Sequence, residues 1–237
     1  MINLAICDDE VIYINEITDL IQNNIFNNMQ YSIKSFKSGE ELLDYVKNSI
    51  IDILFLDIEM KNLNGIETAK ELKKYLPDCI IFFVTSYNNY ITDVFRLNSF
   101  QFLQKPINHV DFKYDFNRAL EKYKVDHTFI DVKANGFLRN ISINEIYYIE
   151  VITREIRIHL KDEVVIHTGK ISIYEEKLKM FGFAKTHKSY LVNLSKIECI
   201  ENDCINFKRI EDNVPIGRKF KKEFMNEYHK YMIGRCI

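Results

Sequence analysis

Short apolar runs and amphipathic segments alternate along the first half of this 237-residue chain, and the alternation limits the folds open to it. Apolar runs of strand length occupy Ile2–Cys7, Ser32–Phe36, Ile51–Leu56, Cys79–Thr85 and Phe100–Leu103. Helical spacing of apolar residues follows at Val11–Phe26, 38–47, Ile66–Tyr75, Tyr90–Leu97 and Asn108–Lys124. Five such alternations predict a doubly wound, flavodoxin-like sheet of five parallel strands with helices on both faces.

The pattern changes after Lys124. Strand-like runs recur at short intervals up to Ile216, while only Ser172–Phe181 and Phe220–Met232 have helical periodicity. This half is therefore predicted to be mostly antiparallel β structure. The change predicts two domains, 1–122 and 129–234, joined by a polar linker at 123–128.

Charge also divides the chain. Residues 1–124 contain 13 Lys and Arg against 18 Asp and Glu, whereas residues 125–237 contain 19 against 16. An acidic first half and a mildly basic second half suit a regulatory domain joined to a domain that binds a polyanion.

The cellular compartment is predicted from what the sequence lacks. No apolar run reaches the roughly 18–20 residues of a membrane span, and the N-terminus has no basic segment typical of a signal peptide. The five cysteines have scattered spacing without a zinc-binding pattern. A cytoplasmic protein with reduced thiols and no membrane partner is expected.

Chemically active side chains lie at or just beyond the carboxyl ends of four of the five predicted strands. They are Asp8, Asp9, Asp57, Thr85 and Lys105. Because ligands of parallel sheets bind beyond the carboxyl ends of the strands, these side chains are expected at one edge. Three crowded carboxylates need a hard divalent cation, and Mg²⁺ fits their oxygen ligands. Asp57 could then attack a phosphoryl group, with Lys105 and Thr85 contacting the transferred oxygens.

Four segments resemble the signature motifs of response-regulator receiver domains, in order and at similar spacing. They are Ile6-Cys7-Asp8-Asp9-Glu10, Phe55-Leu56-Asp57-Ile58-Glu59-Met60 with Asn64-Gly65, Phe83-Val84-Thr85-Ser86 and Leu103-Gln104-Lys105-Pro106. The resemblance covers residues 1–122. It departs from the usual pattern at Lys61, where relatives carry proline, and at Ser86, where they carry alanine.

This resemblance implies a specific function for each residue. Asp57 is the expected phosphorylation site and Asp9 a direct ligand of Mg²⁺. Asp8 is expected to bind the metal through water and Glu59 through its backbone carbonyl. Thr85 and Phe102 are the expected switch pair. A cis Lys105–Pro106 bond is implied as well.

Polar and basic residues cluster in the second half around 185–196 and 217–222. Such residues on loops can reach DNA phosphates and base edges, but composition alone also fits a solvated, lysine-rich β domain. The run Phe183-Ala184-Lys185-Thr186-His187-Lys188-Ser189-Tyr190-Leu191-Val192-Asn193 resembles the signature of LytTR DNA-binding domains, as do Ile146–Glu150 and the Pro215–Lys219 turn. This second resemblance covers residues 128–232.

LytTR domains read DNA from loops that enter successive major grooves, and the resemblance transfers this to particular positions. Base contact is implied for Arg154, for Lys188 beside His187, and for Arg218. Phosphate contact is implied for Lys185, Lys196, Lys219 and Lys222. Two further candidates, His187 and Asn193, have a competing structural interpretation as a hydrogen-bonded histidine and a turn-holding asparagine. Lysine stands at 185 and 188 where relatives carry arginine, and it lacks arginine's bidentate fork.

The two resemblances together predict a two-component response regulator rather than an enzyme, although a receiver can catalyse its own phosphotransfer and dephosphorylation. A sensor histidine kinase, double-stranded DNA with paired direct repeats, and a second copy of the chain are the implied partners. Phosphorylated Asp57 would draw Thr85 inward and let the surface 89–124 self-associate. Two alternatives remain at this point: a receiver whose β half sequesters a protein, and a phosphatase that uses Asp57 as nucleophile.

Overall fold

The computed structural model describes residues 1–25, 29–86, 100–134 and 136–236. The chain divides into two compact units, Met1–Tyr123 and Lys124–Ile237, here called the first and second unit. Among the helices of the described residues, none combines the length and the apolar content that crossing a bilayer requires.

The first unit is built on a parallel sheet. Its elements are β1 (Ile2–Cys7), α1 (Val11–Asn24), β2 (Tyr31–Phe36), α2 (Gly39–Val46), β3 (Ile53–Asp57), α3 (Gly65–Tyr75), β4 (Ile80–Thr85), β5 (Gln101–Gln104) and α4 (His109–Asp126). The strand order is β2-β1-β3-β4-β5, and every neighbouring pair is parallel. The predicted doubly wound sheet is therefore confirmed.

Burial explains why the central strands are apolar up to their last residues, Asp57 and Thr85. Every residue of β3 and β4 is buried, as expected for strands covered on both faces. One face of the sheet packs on α1 and α4, with Phe55, Phe112 and Phe116 in contact. The other face packs on α2 and α3 around Leu42 and Leu72. Because both faces are covered by helices, the carboxyl edge is left for polar side chains.

The second unit consists of three antiparallel sheets and two helices. Its elements are β6 (Phe129–Ala134), β7 (Phe137–Ser142), β8 (Tyr148–Ile152), β9 (Glu155–His159), β10 (Val164–Thr168), α5 (Ile171–Leu178), β11 (Phe183–His187), β12 (Tyr190–Asn193), β13 (Ile197–Glu201), β14 (Cys204–Phe207), β15 (Asn213–Pro215) and α6 (Lys221–Cys236). The sheet orders are β10-β9-β8-β12-β11, β13-β14-β15 and β6-β7. The mostly antiparallel β prediction is confirmed.

The structure differs from the sequence prediction at several elements. Strands β7 and β11 were not predicted, because β7 buries only one of its six residues and β11 is interrupted by a lysine and a histidine. Helix α4 continues to Asp126 and so includes residues 123–126 of the predicted linker. The helix predicted at Tyr90–Leu97 lies outside the described residues.

Candidate functional site

Three carboxylates meet at the carboxyl edge of the parallel sheet. Asp57 is the last residue of β3, and Asp8 and Asp9 follow β1 directly. One oxygen of each of these three side chains lies within 4.8 Å of the other two. Asp8 and Asp57 are buried, while Asp9 is partly exposed. The structure therefore brings together the three aspartates that the strand ends predicted.

Lys105, at the end of β5, lies between two of these carboxylates. Its Nζ is 2.8 Å from Asp8 Oδ2 and 3.2 Å from Asp57 Oδ2, and its side chain is only 3% exposed. Burial by itself would lower the pKa of this ammonium, but the hydrogen bond to Asp8 and the charges of Asp57 and Asp8 outweigh it. The pKa of Lys105 consequently lies above its ordinary value, and the lysine remains a cation beside Asp57.

The loop that follows β3 is shaped around Asp57. The Glu59 N–H donates to Asp57 Oδ1 at 3.3 Å, which orients the carboxylate. Asn64 caps α3 by accepting from the Glu67 N–H at 2.9 Å. A Cβ built on Gly65 would lie 2.1 Å from the Asp57 carbonyl oxygen, so only glycine permits this close approach. The Asn64-Gly65 pair therefore has a structural reason at this site.

The cluster has more negative than positive charge. Burial raises the pKa of Asp57 to about 6; the charge of Asp8 acts in the same direction and Lys105 in the opposite one. Burial also raises the pKa of Asp8, against the lowering effect of Lys105. Two buried carboxylates and the nearby Asp9 are thus balanced by a single ammonium, which favours binding of a further cation.

The donor set fits Mg²⁺. Carboxylate oxygens are the ligands that hard divalent cations prefer, and peptide carbonyls such as that of Glu59 belong to the same class. A cleft of about 640 Å³ opens beside the aspartates and would admit a small phosphorylated molecule. It is lined by Asp9, Glu10, Ile58, Glu59, Met60, Lys61, Asn64 and Ile66.

The raised pKa of Asp57 predicts a pH-dependent stability in the absence of metal. A carboxyl with a higher pKa in the folded than in the unfolded chain stabilises the fold below about pH 4, and this stabilisation is lost as the pH rises through about 6. Asparagine at position 57 does not titrate. The free energy of unfolding of Asp57→Asn relative to wild type should therefore be about 2 kcal/mol higher at pH 7.5 than at pH 4.5. Urea unfolding in EDTA at both pH values measures this change. If the variant and wild type differ in unfolding free energy by the same amount at both pH values, the burial of a charged Asp57 is contradicted. At pH 7.5, Mg²⁺ should reduce the difference in unfolding free energy between the variant and wild type.

The proposed switch residues lie beside the cluster. Thr85 is fully buried at the end of β4, and its carbonyl accepts the Lys105 N–H at 2.8 Å. Phe102 lies on β5 opposite Phe83 and is partly buried against the core that contains α2 and α3. The Lys105–Pro106 bond is cis. A displacement of Thr85 would therefore act close to both Lys105 and the strand that carries Phe102.

Three turns of the second unit converge at one end of its largest sheet. Strands β8 and β12 are antiparallel with Glu150 opposite Tyr190, so the turn that carries Arg154 and the turn at 188–189 lie at the same end. The Val151 N–H donates to the Ser189 carbonyl at 2.9 Å across this end. The Gly217 N–H donates to the Thr186 carbonyl at 2.8 Å and places the turn of Arg218 beside them.

The residues of these three turns, here called the basic face, are largely exposed. Arg154, Lys188, Arg218 and Lys219 are exposed, and His187 is partly exposed. His187 Nδ1 accepts the Ser189 N–H at 3.3 Å, and its ring lies 6.2 Å from that of Phe220. The histidine therefore also supports the turns, as its structural interpretation predicted. Lys222 is exposed in the first turn of α6, two residues after Phe220.

Three other predicted contact residues are placed elsewhere. Lys185 forms an ion pair with Glu175 of α5. Asn193 is buried, and its amide donates to the Ile146 carbonyl at 2.9 Å while its oxygen accepts the Ser195 N–H. Lys196 follows β12, whereas Lys188 precedes it, so about 13 Å of strand separates them. The geometry supports the structural interpretation of Asn193 and not a DNA contact.

A polar cluster around His159, on β8 and β9, was not predicted from the sequence. His159 Nε2 lies 3.0 Å from Glu150 Oε1, and its ring stacks on Tyr148 with 3.9 Å between centroids. The Tyr148 hydroxyl donates to Asp212 at 3.1 Å. These contacts join β8, β9 and the segment before β15, and therefore brace the strands that end in the basic face. The cluster depends on the register that places Tyr148 opposite His159 and on the distant Asp212, so hydrophobic periodicity alone does not predict it.

Comparison with known proteins gives matches over both units. Residues 4–117 match the family model of the response regulator receiver domain, and residues 137–229 match that of the LytTr DNA-binding domain. The sensory transduction protein LytT of Oceanobacillus iheyensis is 30% identical over 238 residues, which cover 93% of this chain and 95% of that protein. LytT of Bacillus subtilis is 26% identical and covers 97% of this chain and all of its own length.

A solved structure also aligns with part of the chain. The response regulatory domain of protein mrkE from Klebsiella pneumoniae is 22% identical, covers 52% of this chain and 98% of that domain, and gives a TM-score of 0.48. The two family models and the full-length relatives extend over both units in the same order. The chain therefore belongs to the family of LytT-type two-component response regulators, and it is a transcription regulator in which a receiver domain precedes a LytTR DNA-binding domain.

Proposed function

We propose that Asp57 accepts a phosphoryl group and that its phosphorylation controls DNA binding by the second unit. One observation carries the proposal: a buried lysine contacts Asp57 at 3.2 Å, within a cluster of three carboxylate oxygens that lie within 4.8 Å of one another. The cluster combines a nucleophile, a cation beside it and a donor set for a divalent metal. Such a combination serves phosphoryl transfer, in which positioning and electrostatics supply most of the catalysis.

Each side chain then has a defined task in the transfer. A carboxylate oxygen of Asp57 forms a bond to phosphorus while the bond from phosphorus to the donor atom breaks, and the leaving group departs with that electron pair. The donor atom is an oxygen in acetyl phosphate and an imidazole nitrogen in phosphohistidine. Lys105 pairs with a transferred oxygen, and the Thr85 hydroxyl donates to another. Asp9, Asp57 and the Glu59 carbonyl would bind Mg²⁺ directly and Asp8 through water. The bound metal would offset the negative charge of the phosphoryl group.

The same residues make the receiver a catalyst of its own phosphorylation and of slow hydrolysis. A small donor such as acetyl phosphate would enter the cleft beside Asp9, and a sensor histidine kinase would present its phosphohistidine there. The lining of the cleft includes the acidic residues Asp9, Glu10 and Glu59. Mg²⁺ would therefore be needed before an anionic donor can approach.

Phosphorylation would act on the second unit through dimerisation. The Thr85 hydroxyl would move toward the phosphoryl group and Phe102 would follow, which changes the surface 89–124. Of that surface, 89–99 lies outside the described residues. Val110 and Tyr114 of α4 expose 76% and 40% of their surface, so the described part offers apolar area for a second copy. Paired LytTR domains would bind paired direct repeats in double-stranded DNA and gain affinity by linkage.

The proposal is tested by measuring oligomeric mass and DNA affinity with and without acetyl phosphate and Mg²⁺. The DNA is first selected from a random pool by the full-length protein. We expect phosphorylation to convert the chain to a dimer and to tighten binding to the selected DNA by at least about 10-fold. Identical mass and affinity in both states, in protein that mass spectrometry shows to be phosphorylated, would contradict the coupling.

A further inference from the structure

Tyr13 lies directly against the lysine of the phosphorylation site. It belongs to the first turn of α1, where its N–H donates to the Glu10 carbonyl at 3.1 Å. Its ring is partly buried, and the Nζ of Lys105 lies 3.8 Å from the ring centroid. This distance is well within the range in which an aromatic face attracts an ammonium ion.

The environment of Lys105 Nζ shows what the ring contributes. Asp8 and Asp57 contact the ammonium at 2.8 and 3.2 Å, and the face of Tyr13 provides a third contact. The lysine side chain is almost fully buried, so water screens this contact little. A lysine side chain has four rotatable bonds and can adopt many rotamers. The contact with the aromatic ring therefore helps to hold the ammonium in one position.

We propose that Tyr13 is a positioning residue for phosphorylation, whose aromatic face holds the Lys105 ammonium within reach of the oxygens transferred to Asp57. The inference rests on the proposed function of Asp57. The residue acts through Lys105 and not through the metal, because the face of its ring lies against the ammonium. The hydroxyl is not required, since the attraction comes from the face of the ring.

The test compares full-length wild type with Tyr13→Leu and Tyr13→Phe. The rate of Asp57 phosphorylation by acetyl phosphate and Mg²⁺ is followed by intact-protein mass spectrometry. Loss of the ring should slow the reaction about 3- to 30-fold, the factor that corresponds to a partly to fully desolvated cation–π contact. Tyr13→Phe should stay within about 2-fold of wild type, because it keeps the ring. Mg²⁺ affinity, measured by calorimetry, should be unchanged in both variants.

The control is Tyr75→Leu, which removes a half-exposed tyrosine at the C-terminus of α3 and should keep the wild-type rate. Equal rates for wild type and Tyr13→Leu would overturn the inference, and so would an equal loss in Tyr13→Phe and Tyr13→Leu. A further measurement does not depend on the variants folding. The ε-methylene protons of Lys105 should show an upfield ring-current shift in the NMR spectrum of wild type, and a spectrum without that shift would also overturn the inference.

Failure of the proposed function gives a different result from failure of this inference. If folded wild type takes up no phosphate on Asp57, the phosphorylation proposal fails for all variants alike. If wild type is phosphorylated and Tyr13→Leu is equally fast, only the positioning by Tyr13 is refuted. The ring-current shift reports the contact with Lys105 in either case.

Discussion

Replacing Asp57 by asparagine is expected to abolish phosphorylation by acetyl phosphate and Mg²⁺, with the rate falling at least about 10³-fold. The amide of asparagine is similar in shape to the carboxylate, so the buried site should still fold. It lacks the anionic oxygen that forms the bond to phosphorus. The phosphorylation-dependent gain in DNA affinity should be lost with it, while the affinity of the unphosphorylated protein stays.

Intact-protein mass spectrometry measures this loss, and Asp44→Asn is the matched control. Asp44→Asn makes the same chemical change at an exposed position of α2, where the Asp44 carboxylate pairs with Lys47 at 3.1 Å. Asp8 is the acceptor to watch, because its carboxylate lies even closer to Lys105 than that of Asp57. If Asp57→Asn took up phosphate at the wild-type rate, the phosphate acceptor would be a residue other than Asp57.

The receiver site could be predicted because a parallel sheet converts chain order into spatial proximity. Each strand of such a sheet ends at the same edge, so Asp8, Asp57 and Lys105 had to meet once the strands were recognised. The contact of Tyr13 with Lys105 did not follow from this rule. It depends on the rotation of α1 and on the path of a long lysine side chain, and neither is encoded in the position of a strand end.

The DNA-binding half was harder to predict because the successive turns of an antiparallel sheet alternate between its two ends. Basic residues that are close in sequence can therefore lie at opposite ends of the sheet. Lys188 and Lys196 are eight positions apart in one basic stretch, yet they lie at opposite ends of β12. Asn193, between them, is buried and bonded to the Ile146 carbonyl. Composition placed all of these residues in one group, and strand direction and burial divide them.

The interior of the second unit illustrates the same difficulty. The contact between His159 and Glu150 joins two adjacent strands, and its existence depends on the register of β8 and β9. Strand β7 was missed because its residues alternate poorly between apolar and polar. Hydrophobic pattern alone therefore identified the class of this unit but not its register.

The division of basic residues between the two ends of β12 leads to the second large effect. Substituting both Arg154 and Arg218 by alanine is expected to weaken binding to the selected DNA at least about 30-fold at fixed salt. Each arginine at a base edge is worth roughly 1–3 kcal/mol. The two residues belong to different turns, so their contributions add to a first approximation.

The matched control removes the same charge from the other end of the strand. Lys196 and Lys208 lie together there, where the Lys208 N–H donates to the Lys196 carbonyl at 2.9 Å. Because Lys196→Ala with Lys208→Ala also lowers the net charge by two, a purely non-specific attraction to DNA would respond equally to both double variants. We expect the control to lose less than about 5-fold, through long-range electrostatics alone.

Fluorescence anisotropy titrations with the selected DNA and with a scrambled duplex distinguish the outcomes. The arginine variant should bind the two duplexes with similar affinity, since its loss falls on sequence-specific contacts. The control should keep its preference for the selected DNA. If both double variants weaken binding equally, the protein surface that contacts DNA extends along the whole of β12, and the assignment of base recognition to the basic face is wrong.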